Sequence, residues 1–557
     1  MSVVTSTAAA ARWSGRTVDR LLERPRTVVG SLIGLQVGAT VVLALSVDHN
    51  GWVWFQGGDQ IWLSTQGWLL GQLELPPTEL GYLWSYLVSP VMWVTGPTYL
   101  QALPPLVVFQ VLVLGPVALL CIYDLASRIG GRLLGYWASF LWAIAPFASI
   151  PLFVDRYQER FAEHFLPQAL GLTAMSDFPS MVLVLASAVL VVRSLDAGRM
   201  TDAVLAGLLL GAATAVKPPN LLMGVGAALA YLVARRWRAG LAFGAAIVPS
   251  LLVLALWKER GLGGIPVLGL DGAQLAAGAA TTAISVDFDR YLDLDLDHWL
   301  DQMNYMREFF FSARVAQWTP FAGLIAVLRV RRSAIAALLG GWLAAFLVVK
   351  GFSPRADIEA NSFWRLLMPA WPAYLLLFAA IPLLVPTLAR RLGERLHPPS
   401  SRPVGRGLIV VVAVLTVLVP ASAIAVSSPL EGPDLALTQD DVGNFILTSV
   451  DESVELRVER VAEGNMLTWE DGPWQANVFY RIYRAEGEDV ECENTDGHPA
   501  QSCYVRGTPI ATVREREFLD ANAPLGATYR IGVGTNWVDD PAFGDVFVFS
   551  PPAVAAG

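Results

Sequence analysis

The sequence predicts a polytopic α-helical membrane protein of about eleven transmembrane helices, followed by an extracytoplasmic β-sandwich. Three observations carry that reading. Of the 557 residues, 54% are hydrophobic and only 16% are charged, with a mean hydropathy of +0.49, whereas a soluble domain carries about 25% charged residues. Apolar runs of membrane-crossing length recur from Val28 to residue 427. Beyond that point the pattern changes to short segments of alternating character.

The N-terminal region carries Arg12, Arg16, Arg20, Arg24 and Arg26 ahead of the apolar run Val28–Val47. This resembles a signal sequence, but further spans follow and no clean small-residue cleavage site is present. It reads as an uncleaved first span with a cytoplasmic N-terminus. The remaining spans are drawn at 104–126, 133–151, 178–193, 201–216, 219–234, 240–257, 314–329, 333–350, 366–386 and 407–427. Arginine pairs and clusters follow alternate spans: Arg128 and Arg132, Arg193 and Arg199, Arg235 to Arg238, Arg329 to Arg332, and Arg390 to Arg406. All fall on the side assigned to the cytoplasm, as the positive-inside rule requires. The exceptions are Arg156, Arg160, Lys217, Lys350, Arg355 and Arg365. This places the protein in the plasma membrane as a multi-pass protein.

The long segments collect on the outer side: residues 48–103, 152–177, 258–313 and 351–365. The first holds Trp54-Phe55-Gln56-Gly57-Gly58-Asp59-Gln60-Ile61-Trp62, a lone carboxylate among interfacial aromatics and beside two glycines. A carboxylate at that depth is costly and has a task or a partner. Two broken apolar stretches in this segment read as amphipathic helices along the membrane surface. The third segment contains Asp293, Asp295 and Asp297, which alternate as on one strand face; calcium is one reading and a solvated face the other. Five His and three Cys, scattered, argue against zinc. A net charge of −9 argues against nucleic acid as a partner.

After residue 427, alternation appears in Val454-Glu455-Leu456-Arg457-Val458, Val478-Phe479-Tyr480-Arg481-Ile482-Tyr483 and Ala527-Thr528-Tyr529-Arg530-Ile531-Gly532-Val533. Such strands between Gly, Asp and Pro turns predict a small sandwich. With Leu467-Thr468-Trp469 they resemble a fibronectin type III domain. The chain therefore divides into a transmembrane part, 1–427, and an extracytoplasmic sandwich, 428–557. An odd number of spans puts the sandwich outside, where Cys492 and Cys503 could form a disulfide; Cys121 reads as core packing.

The outer acids and bases are Asp59, Asp155, Glu163, His164, Asp177, Lys217, Arg355 and Arg365, with Glu159 beside them. Each lies near a span end on one face, so folding can gather them round one cavity. Cations hold a phosphate and a carboxylate takes a proton from an incoming hydroxyl, which suits transfer from an anionic lipid. Plainer readings stand beside this one. Asp59 and Asp177 could be helix caps, Lys217 could snorkel from a helix end, and Arg365 could anchor a helix start. Asp155 and Glu163 read more readily as solvated loop acids, and His164 as a structural loop histidine.

Taken in order, Gly58-Asp59-Gln60, Pro76-Pro77, Met175-Ser176-Asp177-Phe178-Pro179, Val216-Lys217-Pro218-Pro219 and Arg365-Leu366-Leu367-Met368-Pro369-Ala370-Trp371-Pro372 resemble the GT-C membrane glycosyltransferases. These include the protein mannosyltransferases and the lipid A aminoarabinose transferases. The resemblance covers residues 28–390. It implies a polyprenyl-phosphate sugar donor used at the outer leaflet, and an extracytoplasmic glycan, lipid or protein as acceptor. It further implies Asp59 as catalytic base and Asp177 as the second acidic residue, orienting the acceptor or a metal. Lys217 and Arg365, with Arg355, would neutralise the donor phosphate; Asp155, Glu163 and His164 are secondary candidates. Many relatives carry two adjacent acids in the first loop, and here Gly58-Asp59-Gln60 supplies one. That favours direct inverting displacement without a metal, while a divalent metal is left open and no other cofactor is implied. The competing functions are a transporter or lipid-carrier flippase, and a polysaccharide polymerase or ligase. No internal repeat and no mid-span polar cluster favours the first of these, and the scarcity of His weighs against the second.

Overall fold

The computed structural model describes residues 22–46, 58–76, 80–148, 165–262, 264–265, 270–271, 294–309, 313–353, 362–387, 403–429, 435–439, 445–470, 478–486, 503–504, 509–535 and 545–555. Every stretch drawn as a span is helical within these residues. Seven helices are long and apolar enough to cross a membrane: Pro25–Ser46, Tyr99–Gly130, Asp177–Ala197, Trp237–Gly261, Ser333–Gly351, Arg365–Leu384 and Arg406–Val426. Met200–Val216, Pro218–Val233 and Trp318–Arg329 are apolar but shorter. These three shorter helices coincide with the spans drawn at 201–216, 219–234 and 314–329.

The helix ends sort by charge. At one end of the bundle Arg128 is buried and pairs with Asp124 at 2.7 Å and Asp196 at 3.1 Å, and Arg332 reaches Asp196 at 3.2 Å. Asp177 begins the helix that ends beside Asp196. Nineteen residues of helix separate the two acids, about 28 Å at 1.5 Å per residue. Ser333–Gly351 likewise runs from the Arg332 end to Lys350. Among the described residues, Lys350 thus stands at the opposite end of its helix from Arg332, and Asp177, the partner of Lys217 and Arg365, at the opposite end of its helix from Asp196.

Residues 58–99 form two helices, Gly58–Gly71 and Tyr82–Thr95. The pair pack on one another and bury Ile61, Leu63, Tyr82 and Leu83 inside the protein. Gly67 permits the approach, because a Cβ there would sit 3.0 Å from the carbonyl oxygen of Ser85.

The C-terminal part is built of β-sheet. One sheet runs in the order 517–520, 464–470, 455–461, and another 511–513, 478–486, 527–535, 545–549. Inward residues of both, among them Leu467, Trp469, Ile482, Tyr529 and Ile531, are buried in one core, and Trp469 meets Tyr480 edge-on at 5.2 Å. The alternating burial of 464–470 is the period-two pattern the sequence displays. This part touches the helical part through the short strand Glu74–Leu75 and the turn before Tyr99. Ser428–Pro429 pairs in parallel with Glu74–Leu75, and the Ser449 hydroxyl donates to the Pro97 carbonyl at 3.0 Å. Cys503 lies in a short strand paired with Ala436. Cys492 falls outside the described residues, and so does the disulfide it would make.

The acid run also resolves locally. Asp295 accepts from the backbone N–H of Asp297 at 2.8 Å and of His298 at 3.2 Å, capping the helix Leu296–Phe309. Asp295 and Asp297 therefore stand at a helix start and not on a strand face. Asp293 lies outside the described residues.

Candidate functional site

Four separate stretches of chain deliver four of the expected residues to one place. Asp59 stands in the first turn of Gly58–Gly71, and Asp177 opens the helix Asp177–Ala197. Lys217 is the hinge between Met200–Val216 and the turn Pro218–Leu222. A residue before proline is driven out of the helical region, and Lys217 accordingly has φ −146° and ψ 107°. Pro218, which has no N–H to leave orphaned, starts the next turn. The helix therefore stops at Lys217, and the lysine side chain leaves from the stop. Arg365 belongs to the short helix Ser362–Leu367, continued through the turn Met368–Ala370 into Trp371–Ala380.

Arg365 is the bridge. Its Nε donates to Asp177 Oδ2 at 3.2 Å, and its Nη2 donates to Asp59 Oδ2. The other Asp177 oxygen, Oδ1, accepts from Lys217 Nζ. Only a guanidinium presents a planar set of donors able to span two carboxylates in this way. Side-chain exposure is 37% for Asp59 and 0% for Asp177, which divides their tasks. Asp177 is sealed, with both oxygens engaged. Asp59 keeps an open face. The Arg365 charge beside Asp59 outweighs the opposing effect of burial and holds its carboxyl below the usual aspartate range.

The plain cap readings do not describe the two acids. The residue before Asp177, Ser176, makes no side-chain cap, and the Asp177 carboxylate turns to Lys217 and Arg365. The Asp59 carboxylate turns to Arg365.

The segment leading into Asp177 is pinned by residues that the sequence did not single out for a role. Gln60 Oε1 accepts from the backbone N–H of Ala174 at 2.8 Å and from the Tyr99 hydroxyl. Trp84 Nε1 donates to the Ala174 carbonyl at 2.9 Å, and Gln110 Nε2 donates to the Thr173 carbonyl. Gln110 opens a π-helical turn, Gln110–Leu114, inside the long helix Tyr99–Gly130. Such turns re-aim side chains at functional places. Gln60 sits next to Asp59, so one residue pair fixes both arms of the site. Adjacency to Asp59 was the available signal for Gln60; Trp84 and Gln110 carried none.

A fifth charged group lies here. Lys350, at the last turn of Ser333–Gly351, is 5% exposed and close enough to Lys217 for their charges to repel. Arg355, Asp155, Glu163 and His164 lie outside the described residues. No group of three or more His, Cys, Asp or Glu able to hold a metal ion occurs among the described residues.

Comparison with known proteins gives the following. No protein-family model matches the chain, and no curated protein matches it. Among solved structures, the oligosaccharyltransferase of Archaeoglobus fulgidus in its apo form is similar at a TM-score of 0.38 and 13% identity, over 73% of this chain and 56% of that one. The archaeal oligosaccharyltransferase AglB from the same organism, in complex with an inhibitory peptide and a dolichol-phosphate, is similar at 0.39 and 14%, over 73% and 56%. The enzyme tethered to an acceptor peptide containing the NVT sequon gives 0.39 and 13%, over 73% and 55%. The chain thus spans little more than half the length of these chains.

Proposed function

We propose that this protein is an integral-membrane glycosyltransferase of the GT-C type. It would transfer a sugar from a polyprenyl-phosphate donor to an extracytoplasmic glycan, lipid or protein. The N-terminus is then cytoplasmic, the Asp59 end of the bundle faces outward, and residues 428–557 form a fibronectin type III-like sandwich beside the site. The observation that carries the reading is the Asp59–Arg365–Asp177–Lys217 chain of charges. An accessible carboxylate and two cations stand together in it, which supports a place where a lipid phosphate and a polar acceptor meet, at the outer end of the helices on this reading.

The chemistry follows from that arrangement. The acceptor hydroxyl attacks the anomeric carbon as the bond from that carbon to the phosphate oxygen breaks. The electron pair leaves with the lipid phosphate, whose added charge Lys217 and Arg365 stabilise. The acceptor proton passes to Asp59. A carboxylate paired with a guanidinium is a weak base, so the donor phosphate has a second effect. By drawing Arg365 toward itself it loosens the hold on Asp59 and raises its basicity when donor is bound. Asp177 touches neither reactant; it positions the two cations. A single displacement inverts the anomeric configuration, as in the one-step hydrolases.

The test is transfer by purified Asp59→Asn protein against wild type, with labelled polyprenyl-phosphate sugars and membrane-extracted acceptors, and donor binding measured on both. Loss of transfer by about 10²-fold or more with donor binding retained is the expected result. Unchanged transfer would remove Asp59 from the chemistry.

A further inference from the structure

Lys350 is the group in this region that the charge pairing leaves over. Asp177 is matched by Lys217 and Arg365, and Asp59 by Arg365. The Lys350 ammonium makes no hydrogen bond or ion pair among the described residues, although the residue is 95% buried by its 5% exposure. Three cations stand against two carboxylates, a surplus of one positive charge. A buried ammonium without a counter-charge is among the costliest arrangements a protein can hold. Its location makes the cost intelligible. The helix Ser333–Gly351 packs against both the turn that follows Lys217 and the helix that carries Arg365, and Lys350 feels the Lys217 charge.

A second unsatisfied donor adjoins it. Trp299 lies against Gly351, where a Cβ would meet its indole ring. The Trp299 Nε1–H is buried with no hydrogen-bond partner among the described residues. Trp299 thus meets the residue next to Lys350. An oxygen-rich anion satisfies an ammonium left without an acceptor; an apolar or cationic ligand does not.

We propose that Lys350 is the third cation of an anion-binding site shared with Lys217 and Arg365, and that the ligand of this site is the phosphate of a lipid phosphate ester. This rests on the reading of the site as a lipid-phosphate-dependent transferase. Lys217 and Arg365 are held by carboxylates and keep only part of their charge for a ligand. Lys350 has no such commitment, so it carries the larger share of the attraction. Its role is to bind and position, with no part in proton transfer.

The full-length protein in detergent micelles is tested as wild type, Lys350→Met and Lys350→Arg. Undecaprenyl phosphate and inorganic phosphate are titrated separately, and thermal stability is measured without ligand. The methionine variant should bind undecaprenyl phosphate at least tenfold more weakly, while the arginine variant stays within about threefold of wild type. Ligand-free Lys350→Met should unfold at the same or a higher temperature, because a buried uncompensated charge has been removed. Weaker binding together with lower ligand-free stability would make Lys350 a structural residue and overturn the proposal. Undiminished binding in Lys350→Met would overturn it as well. Inorganic phosphate should compete with the lipid, and weaker than it; inorganic phosphate that binds through Lys350 while the lipid does not would exclude the lipid source. The binding readouts need no sugar transfer, so a protein that binds through Lys350 but transfers nothing separates this inference from the enzymatic reading beneath it.

Discussion

Arg365 Nε donates to Asp177 Oδ2 at 3.2 Å across 188 positions of sequence, and the same guanidinium reaches Asp59 with its Nη2. One side chain thus ties the helix Gly58–Gly71 to the start of a membrane-length helix. A lysine ammonium is a point charge and cannot present the same planar set of donors. Arg365→Met should lower transfer by about 10²-fold or more, the scale for losing a group that stabilises developing charge. Arg365→Lys should keep the charge and still fall about tenfold, because one of the two carboxylates loses its partner. Steady-state kinetics on both variants check this, and equal activity of the lysine variant and wild type would show that bridging is immaterial.

The pair of Asp177 and Lys217 is the most enclosed ion pair of the site, with side-chain exposures of 0% and 12%. Removing one member strands the other. Asp177→Asn should destabilise the protein by roughly 3 kcal/mol, the lower end for a broken buried pair, since Arg365 and Lys217 both lose a counter-charge. Lys217→Met should cost less, because Arg365 remains on Asp177. The double variant should lose less than the sum of the two, with a coupling of about 1–3 kcal/mol. Unfolding of the four proteins in one detergent closes the cycle, and strict additivity would mean that the pair is not energetically formed.

Asp59 supplies a pH test. The Arg365 charge holds its carboxyl below the ordinary aspartate value of about 4. A group whose folded pKa is depressed adds stability that is complete above its unfolded pKa and vanishes as pH falls through the folded one. The difference in unfolding temperature between wild type and Asp59→Asn should therefore be constant near neutrality and shrink between about pH 5 and pH 2. In Arg365→Met, which removes the charge that lowers the Asp59 carboxyl, this acid-side shrinkage should disappear. A difference that does not change with pH would mean that Asp59 is not held by the arginine charge.

What was legible beforehand divides along physical lines. Each apolar stretch drawn as a span became a helix, because a run of apolar residues specifies a buried helix wherever it folds. Lys217, Lys350 and Arg365, exceptions to the expected charge bias, stand at the opposite end of the helices from the Arg128–Asp196–Arg332 network; charge bias alone marked that difference. Asp59, Asp177, Lys217 and Arg365 were readable as a group, since each flanks a glycine, proline or helix-end signal. Who pairs with whom was not. The bridging by Arg365, and the hold of Gln60 and Trp84 on Ala174, join residues far apart in sequence, and no periodicity encodes such contacts. Lys350 was visible only as an exception to the charge rule, because its lack of a partner is a property of packing. The expected strand of acids failed where a short-range rule prevailed: Asp295 caps a helix, and capping by a side-chain oxygen needs only the next residues.

Gly81 tests whether the backbone near Lys217 sets the site. It precedes the helix Tyr82–Thr95 with φ −74° and ψ 150°, a conformation open to any residue. Its glycine identity is therefore a matter of space. A Cβ at this position would collide with the carbonyl oxygens of Ala215 and Val216, the two residues before Lys217. Backbone cannot step aside as a flexible side chain can, so Gly81→Ala must separate the Tyr82 helix from the end of Met200–Val216. Overpacking of this kind costs about 1–3 kcal/mol. It should also shift Lys217 relative to Asp177 and Arg365, weakening donor binding several-fold although residue 81 touches no reactant. Gly81→Ser should behave like alanine, since both add the same Cβ. Donor titration and unfolding of the two variants provide the check. Wild-type donor affinity in a destabilised Gly81→Ala protein would show that Lys217 is placed by its own ion pair and not by the helix contact behind it.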